Sequence, residues 1–342
     1  MHQRFERAEV ARDHGGETAL LQRQQFFLGH FAPDANIPAL VKILFASETE
    51  KAEFWIPLLE QALPNDRFVA EPAGDVDIAI VATPPAGTLG RLKNVKLVQS
   101  LWMGVEKLLA DPGLPKGVPL ARLIDPGMVA AMSESVVAHV LDWHRHHYRY
   151  RAQRAERQWR RRKQYLACDR TVGILGLGEL GSDAARKLLA LGFNVAGASR
   201  RPKELRGVQS FTELAPMLRI TDALVCLLPL TPETRNILNG RNLSLLRKHG
   251  CVINLARGGH LVVSDLLHAL DSGHLAHAYL DVFDAEPLPA NDPLWRHPGV
   301  TVTPHSAALT EPRTAIPKIV ENVERVRRGQ TPHYLVDFAA GY

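Results

Sequence analysis

From residue 41 onward, apolar residues cluster in short runs separated by amphipathic stretches. The runs at 41–47, 76–82, 96–101 and 120–124 have the composition of strands covered on both faces. Residues 51–63 instead space their apolar positions along one helical face. A longer helix is expected over 128–157, with Val136, Val137, Val140 and Leu141 on one side. The second half alternates more regularly. Strands are expected at 171–175, 194–198, 223–228, 251–255, 278–282 and 300–303, with helices between them, as at 182–191 and 264–270. Repeated strand–helix units imply parallel sheets layered with helices, an α/β fold. A length of 342 residues suggests about two domains.

Residues 1–40 carry no such rhythm and are expected to form a flexible N-terminal extension. Phe26-Phe27-Leu28 is too short for a secretory core, and acids at 6, 9, 13 and 17 argue against a mitochondrial presequence. No methionine stands between Met1 and Met103, so a second start would need another codon, for which Val41 is the candidate.

Composition changes this picture little: 46% apolar and 23% charged residues suit a water-soluble globular chain. No apolar run approaches the roughly 18 residues a membrane helix needs. Cys168, Cys226 and Cys251 lie far apart, with no metal-ligand spacing, and fit a reducing, cytoplasmic setting without disulfides. The net charge of +5 is unevenly placed, with nine Lys or Arg and one acid between Arg145 and Lys163. No nucleic-acid motif accompanies that segment. It is read as a solvated face or a subunit-contact arm, with neither nucleic acid nor membrane as partner.

The chemistry begins at 171–181, Thr-Val-Gly-Ile-Leu-Gly-Leu-Gly-Glu-Leu-Gly. An expected strand enters a turn with glycines at 176, 178 and 181, and an expected helix follows at once. This is the G-x-G-x-x-G dinucleotide fingerprint in the context it requires. Gly176 permits the turn, Gly178 lets a pyrophosphate approach the backbone, and Gly181 lets helix and strand pack closely. The amides of the helix start, around Glu179 and Leu180, then face phosphate.

Three polar segments follow at later strand ends, where such sheets present ligands. They are Asn254-Leu255-Ala256-Arg257-Gly258-Gly259, Asp281-Val282-Phe283-Asp284-Ala285-Glu286-Pro287 and Thr303-Pro304-His305-Ser306-Ala307. Taken singly, Arg257 reads as a surface ion pair, Glu286 as a loop carboxylate and His305 as a satisfied histidine. Together they suit hydride chemistry on a 2-oxo acid. A guanidinium forks a carboxylate, an imidazolium gives the carbonyl oxygen a proton, and a carboxylate orients the imidazole and favours its charged form.

With these motifs in this order, residues 41–342 resemble the D-2-hydroxyacid dehydrogenase family, within it the glyoxylate/hydroxypyruvate reductase A branch. The segment Leu228-Pro229-Leu230-Thr231-Pro232-Glu233-Thr234 and the ending Val336-Asp337 and Gly341-Tyr342 belong to the likeness. The resemblance implies two Rossmann-like or flavodoxin-like doubly wound parallel-sheet domains. The dinucleotide domain, 143–306, is inserted into a substrate domain made of 41–142 and 307–342. It implies Arg257, Glu286 and His305 as the catalytic set. Leu228, Pro229, Leu255 and Ala256 would lie along the cofactor, and Asp281 near the nicotinamide amide. Substrate would meet Arg257 and the loop Trp102, Met103, Gly104 and Val105, whose backbone amides cradle the carboxylate. The family more often has smaller residues where Trp102 and Met103 stand, which bears on pocket size. The family usually forms homodimers through the dinucleotide domains, and 145–163 would belong to that contact.

Cofactor choice is read at the end of the second strand of the dinucleotide unit. NAD enzymes place an acid there for the ribose 2′-hydroxyl. Here Ser199, Arg200 and Arg201 stand in its place, so NADP(H) is expected over NAD(H). The expected activity is NADPH-dependent reduction of a small 2-oxo acid to the 2-hydroxy acid, with no metal. Two other readings remain open: a dehydrogenase for a bulkier 2-hydroxy acid, and a nucleotide-sensing, non-catalytic interaction protein of the same fold.

Overall fold

The computed structural model describes residues 40–342. The extension expected at 1–40 therefore lies, up to residue 39, outside the described residues. Two parallel sheets organise the remainder. The first half supplies β1 (Lys42–Ser47), α1 (Ala52–Ala62), β2 (Arg67–Val69), β3 (Ile78–Ala82), β4 (Leu97–Ser100), α2 (Glu106–Leu109) and β5 (Leu120–Ala121). Its sheet has the order β2-β1-β3-β4-β5. Helices α3 (Pro126–His144) and α4 (His147–Ala155) lead to the second unit. That unit runs β6 (Thr171–Leu175), α5 (Glu179–Ala190), β7 (Asn194–Ala198), β8 (Val208–Phe211), α6 (Leu214–Ile220) and β9 (Ala223–Cys226). It continues with α7 (Gly240–Leu243), β10 (Gly250–Asn254), α8 (Val263–Asp271), β11 (Leu275–Leu280) and β12 (Val300–Val302). The seven strands stand in the order β12-β11-β10-β9-β6-β7-β8, so the chain reverses direction across the sheet between β6 and β9. A doubly wound sheet opens its ligand crevice at such a switch point.

The last helix, α9 (Pro312–Arg327), returns to the first sheet. Its Ala315, Ile316, Ile319 and Val323 pack with Val41, Ile43, Trp55, Leu59 and Ile80 in one apolar cluster. Buried Asn322 on α9 donates from Nδ2 to Gln99 Oε1 on β4, 2.7 Å away and 223 residues earlier. Among the described residues no helix is long and apolar enough to cross a membrane.

Two expectations change, and two edge strands stand where none was expected. The single helix over 128–157 is two helices, because His146 takes a left-handed conformation, φ 61°, between them. The apolar face ends at buried Trp143 and His144, and beyond the break α4 buries only Gln153, so nothing holds the two segments to one axis. The strand at 120–124 stops at Ala121, after which Arg122 N donates to Tyr334 O and Ala121 bridges antiparallel to Leu335. The edge strands β2 and β8 carry polar residues and lack the continuous apolar run that marks their inner neighbours.

Candidate active site

The glycine-rich turn leaves β6 at the switch point. Gly176 holds φ 96°, a conformation that side chains resist, and a Cβ on it would lie 2.9 Å from Leu227 O. A Cβ on Gly181 would lie 1.9 Å from Gly176 O, so helix and turn pack against each other's backbone. Gly178 differs: nothing lies within 4 Å of its missing Cβ, and no side chain caps the helix that starts there. Exposed Glu179 and half-buried Leu180 open α5. Half-buried Leu228 and Pro229 follow β9 across the switch point. The Pro229 carbonyl accepts from Thr234 Oγ1 at 2.7 Å and lies 3.2 Å from His260 Nε2.

Arg257 follows β10 and the buried pair Leu255 and Ala256. Fully buried Asn254 ties this turn from both sides. Its Oδ1 accepts from Ala256 N at 3.2 Å, and its Nδ2 donates to Arg257 O at 3.0 Å. His260 Nδ1 lies 3.1 Å from the same carbonyl, and burial pushes the His260 imidazole below its ordinary pKa. The guanidinium reaches the other sheet's loop, where a Cβ on Gly104 would fall 1.6 Å from Arg257 Nη2. There Nε pairs with Glu106 Oε1 at 3.1 Å, while Nη1 donates to Ala256 O at 2.6 Å.

The 102–105 loop is anchored at one end and unpaired at the other. Trp102 N donates to Ser100 Oγ at 3.0 Å, and the Trp102 indole donates to Glu50 Oε1 at 3.4 Å. Its amide is therefore already used. The amides of Met103, Gly104 and Val105 have no acceptor among the described residues. Of the three, Gly104 is the one shown to lie against the Arg257 guanidinium.

Asp281 organises the third segment. Its buried carboxylate accepts from Thr303 Oγ1 at 2.6 Å, Ser306 N at 2.9 Å and Ala307 N at 3.0 Å. Its carbonyl accepts from His305 N at 2.8 Å. These bonds hold His305 at φ 50°. The imidazole is half exposed, with Nδ1 2.7 Å from Glu286 Oε2. Glu286 Oε1 accepts from Phe283 N at 2.9 Å, which fixes the carboxylate on its own turn. A carboxylate at Nδ1 favours the N–H on that nitrogen, and Nε2 makes no hydrogen bond among the described residues.

Beyond β7, Ser199 Oγ donates to Arg201 O at 2.6 Å, and Arg200 and Arg201 are exposed. Arg200 Nη2 bonds to the hydroxyl of Tyr342. The pairings of Glu106, His260, Glu50 and Tyr342 with the expected residues leave little trace in the sequence. Glu106 directly follows the 102–105 loop and His260 stands three residues past Arg257, which are the only local signals they leave.

A family model described as D-isomer specific 2-hydroxyacid dehydrogenase, NAD binding domain, matches residues 137–307. Glyoxylate/hydroxypyruvate reductase A of Serratia proteamaculans (strain 568) is 44% identical over 313 residues, covering 88% of this chain and 100% of that protein. Among solved structures, a D-isomer specific 2-hydroxyacid dehydrogenase from Xanthobacter autotrophicus Py2, in complex with NADPH and MES, is 39% identical with a TM-score of 0.85, covering 89% of this chain and 100% of that one. The NADPH-dependent glyoxylate/hydroxypyruvate reductase from Sinorhizobium meliloti, in complex with NADP and sulfate, is 38% identical with a TM-score of 0.83, covering 88% and 100%. The chain belongs to the D-isomer specific 2-hydroxyacid dehydrogenase family, as its motifs implied.

Proposed function

We propose that the protein reduces a small 2-oxo acid of the glyoxylate or hydroxypyruvate type to the 2-hydroxy acid, with NADPH preferred over NADH. The observation that carries this reading is the pairing of two unlike devices at the ends of β10 and β12, which flank β11 in one sheet. Arg257 and three unpaired amides form an anion site, and an imidazole pinned through Nδ1 forms a proton donor. The curated and solved relatives bearing the name glyoxylate/hydroxypyruvate reductase support the substrate class.

The residues fit a dinucleotide. The uncapped helix start at Gly178 is open where a pyrophosphate needs room, and no carboxylate stands at Ser199, Arg200 or Arg201 to repel a 2′-phosphate. Gly176, Gly178, Glu179, Leu180 and Gly181 would hold the pyrophosphate, and Leu228, Pro229, Leu255 and Ala256 would flank the rest. Asp281 is assigned to the nicotinamide amide in addition to its hold on the 303–307 turn. When bound, NADPH supplies the hydride that the carbonyl carbon accepts.

The chain's own groups do the remainder. Arg257 and the amides of Met103, Gly104 and Val105 bind the carboxylate and fix the carbonyl, with Trp102 and Met103 limiting what lies beyond it. His305 Nε2 gives its proton to the carbonyl oxygen as negative charge develops there, and Glu286 keeps the ring in place throughout. After the transfer His305 is a neutral imidazole and regains a proton from solvent.

Sheet membership supports a substrate domain within 41–142, sealed by α9 from 307–342, and a cofactor domain within 143–306, while Met132, Val136 and Val140 of α3 pack into the cofactor domain's core. The basic segment 145–163 is assigned to a homodimer contact, supported by Trp159, 95% exposed on its surface. Three free cysteines support a cytoplasmic setting. Steady-state turnover of glyoxylate, hydroxypyruvate and phenylpyruvate, each with NADPH, tests the function. Turnover of either small acid above that of phenylpyruvate is expected. A preference for phenylpyruvate would favour a bulkier substrate, and NADPH binding without turnover of any acid would favour a sensor.

A further inference from the structure

The last residue of the sequence touches both domains. After α9 the chain bridges back to β5, where Val336 N donates to Leu120 O at 2.8 Å. Asp337 then closes a tight terminal turn. Its Oδ1 accepts from Ala339 N and Ala340 N at 2.9 and 3.1 Å, and its carbonyl accepts from Gly341 N at 2.8 Å. Its amide donates to Tyr342 O at 3.1 Å. Tyr342 is thus placed by the rim of the first sheet. Its ring lies under two guanidinium groups, 5.7 Å from that of Arg122 beside β5 and 5.0 Å from that of Arg200 beyond β7. Arg200 also bonds to its hydroxyl.

We propose that Tyr342 is a positioning residue for cofactor choice: it holds Arg200 in place to receive the 2′-phosphate of NADP(H). This rests on the reading of Arg200 given above. Arg200 is exposed on a turn, and a free arginine there would sample many rotamers. Contact with one aromatic face and one hydroxyl removes that freedom before the ligand arrives, so less is lost on binding. The hydroxyl accepts from Arg200 through a lone pair, so ring and hydroxyl together fix one orientation of the guanidinium. The first domain would in this way help select a nucleotide bound by the second.

The test separates the phosphate from the rest of the cofactor by calorimetric titration with 2′,5′-ADP and with 5′-AMP, alongside NADP⁺ and NAD⁺. Tyr342→Ala should weaken 2′,5′-ADP and NADP⁺ about threefold to tenfold, the range for one side chain that must now be ordered on binding. Affinity for 5′-AMP and NAD⁺ should stay unchanged, which also shows the variant is folded. Tyr342→Phe keeps the ring and should lose a smaller part. In an Arg200→Ala background, Tyr342→Ala should add nothing. If Arg200→Ala alone weakens 2′,5′-ADP while Tyr342→Ala does not, the positioning role is wrong and the reading of Arg200 stands. If Arg200→Ala leaves 2′,5′-ADP binding intact, both are overturned. Tighter 2′,5′-ADP binding by Tyr342→Ala would make Tyr342 a competitor of the phosphate and also overturn the proposal.

Discussion

Glu106 and Arg257, 151 residues apart, meet edge to edge: Nε lies 3.1 Å from Oε1, and Nη2 lies 3.4 Å from Oε2. Each side chain is about one-third exposed, at 33% and 34%, so the pair itself contributes little to stability. What it fixes is direction. One edge of the guanidinium is taken by Glu106 and one Nη1 hydrogen by Ala256 O, which leaves the remaining Nη hydrogens for a substrate carboxylate.

Arg257→Lys should therefore not be conservative. Losing a charge-assisted fork costs about 1.5–3 kcal/mol, or roughly tenfold to a hundredfold in kcat/KM, with kcat falling as well as KM rising. Glu106→Ala should lower kcat/KM severalfold, and Glu106→Gln, which keeps one acceptor, should lower it less. Steady-state kinetics over a 2-oxo acid series measures both, and wild-type values for Arg257→Lys would move the carboxylate site elsewhere.

His305→Asn should cut turnover by about a hundredfold to ten-thousandfold while NADPH affinity holds. Glu286→Gln is a subtler lesion. The carboxylate has two oxygens and both are used, one by His305 Nδ1 and one by Phe283 N. A glutamine offers one oxygen and one donor, so one of those N–H groups must face an NH₂ group. Turnover should fall at least about tenfold with unchanged cofactor binding, since the loss is an orienting bond to the imidazole. Single-turnover rates alongside NADPH titration separate the two effects.

Two glycines in one motif should respond oppositely to alanine. Gly181→Ala forces a methyl into the Gly176 carbonyl and should lower unfolding free energy by about 1–3 kcal/mol. Gly178→Ala meets nothing in the protein and has an ordinary φ of −75°, so its melting temperature should stay near wild type. Its methyl fills the open side of the turn, so dinucleotide affinity should fall instead. Thermal melts and NADP⁺ titrations distinguish the pair.

For cofactor choice, wild type should prefer NADPH by at least about tenfold in kcat/KM, from one charge-assisted contact of about 1.5–3 kcal/mol. Ser199→Asp combined with Arg200→Ala should shrink or invert that preference, chiefly through cofactor KM. Equal use of both cofactors by wild type would leave Arg200 and Arg201 as solvent-facing turn residues.

Acid should weaken the fold through His277. Burial pushes its imidazole down to about 4, Asp142 opposes that shift, and Arg151, Arg149 and His297 add to it. Its Nε2 lies 2.8 Å from Thr301 Oγ1, while buried Nδ1 has no partner, and the rings of Tyr148 and Tyr279 pack beside it. Above the ordinary value of 6.5 the group is neutral in both states. As pH falls from there to about 4, the unfolded chain takes up a proton that the folded one refuses, so stability drops across that window, by about 3 kcal/mol when complete. Denaturant melts from pH 7 to 4 should show the slope, and His277→Gln should flatten it.

Much of this fold is legible in the chain because inner strands are apolar on both faces. β6 and β7 fall where the runs at 171–175 and 194–198 place them. The edge strands β2 and β8 bury less and leave no such run. The break at His146 is equally silent, since nothing in the local composition forbids a longer helix there. Arg257, Glu286 and His305 stand out by residue type and order, and the structure brings Glu286 and His305 into direct contact. Glu106 on Arg257 and Tyr342 on Arg200 are meetings between distant segments, and spacing along one chain carries no trace of them.

The bond from Asn322 to Gln99 also sets an order of events during synthesis. Chains emerge from the ribosome N-terminus first, and contiguous units fold as they appear. The strands around Gln99 emerge before the helix that seals their apolar face, whose Asn322 follows 223 residues later. Through the interval in which the 143–306 stretch is translated, Ile43, Ile80 and Leu97 lack their α9 cover. The nascent chain is then open to aggregation and proteolysis, and chaperones would find their binding surface on strands that wait for their covering helix.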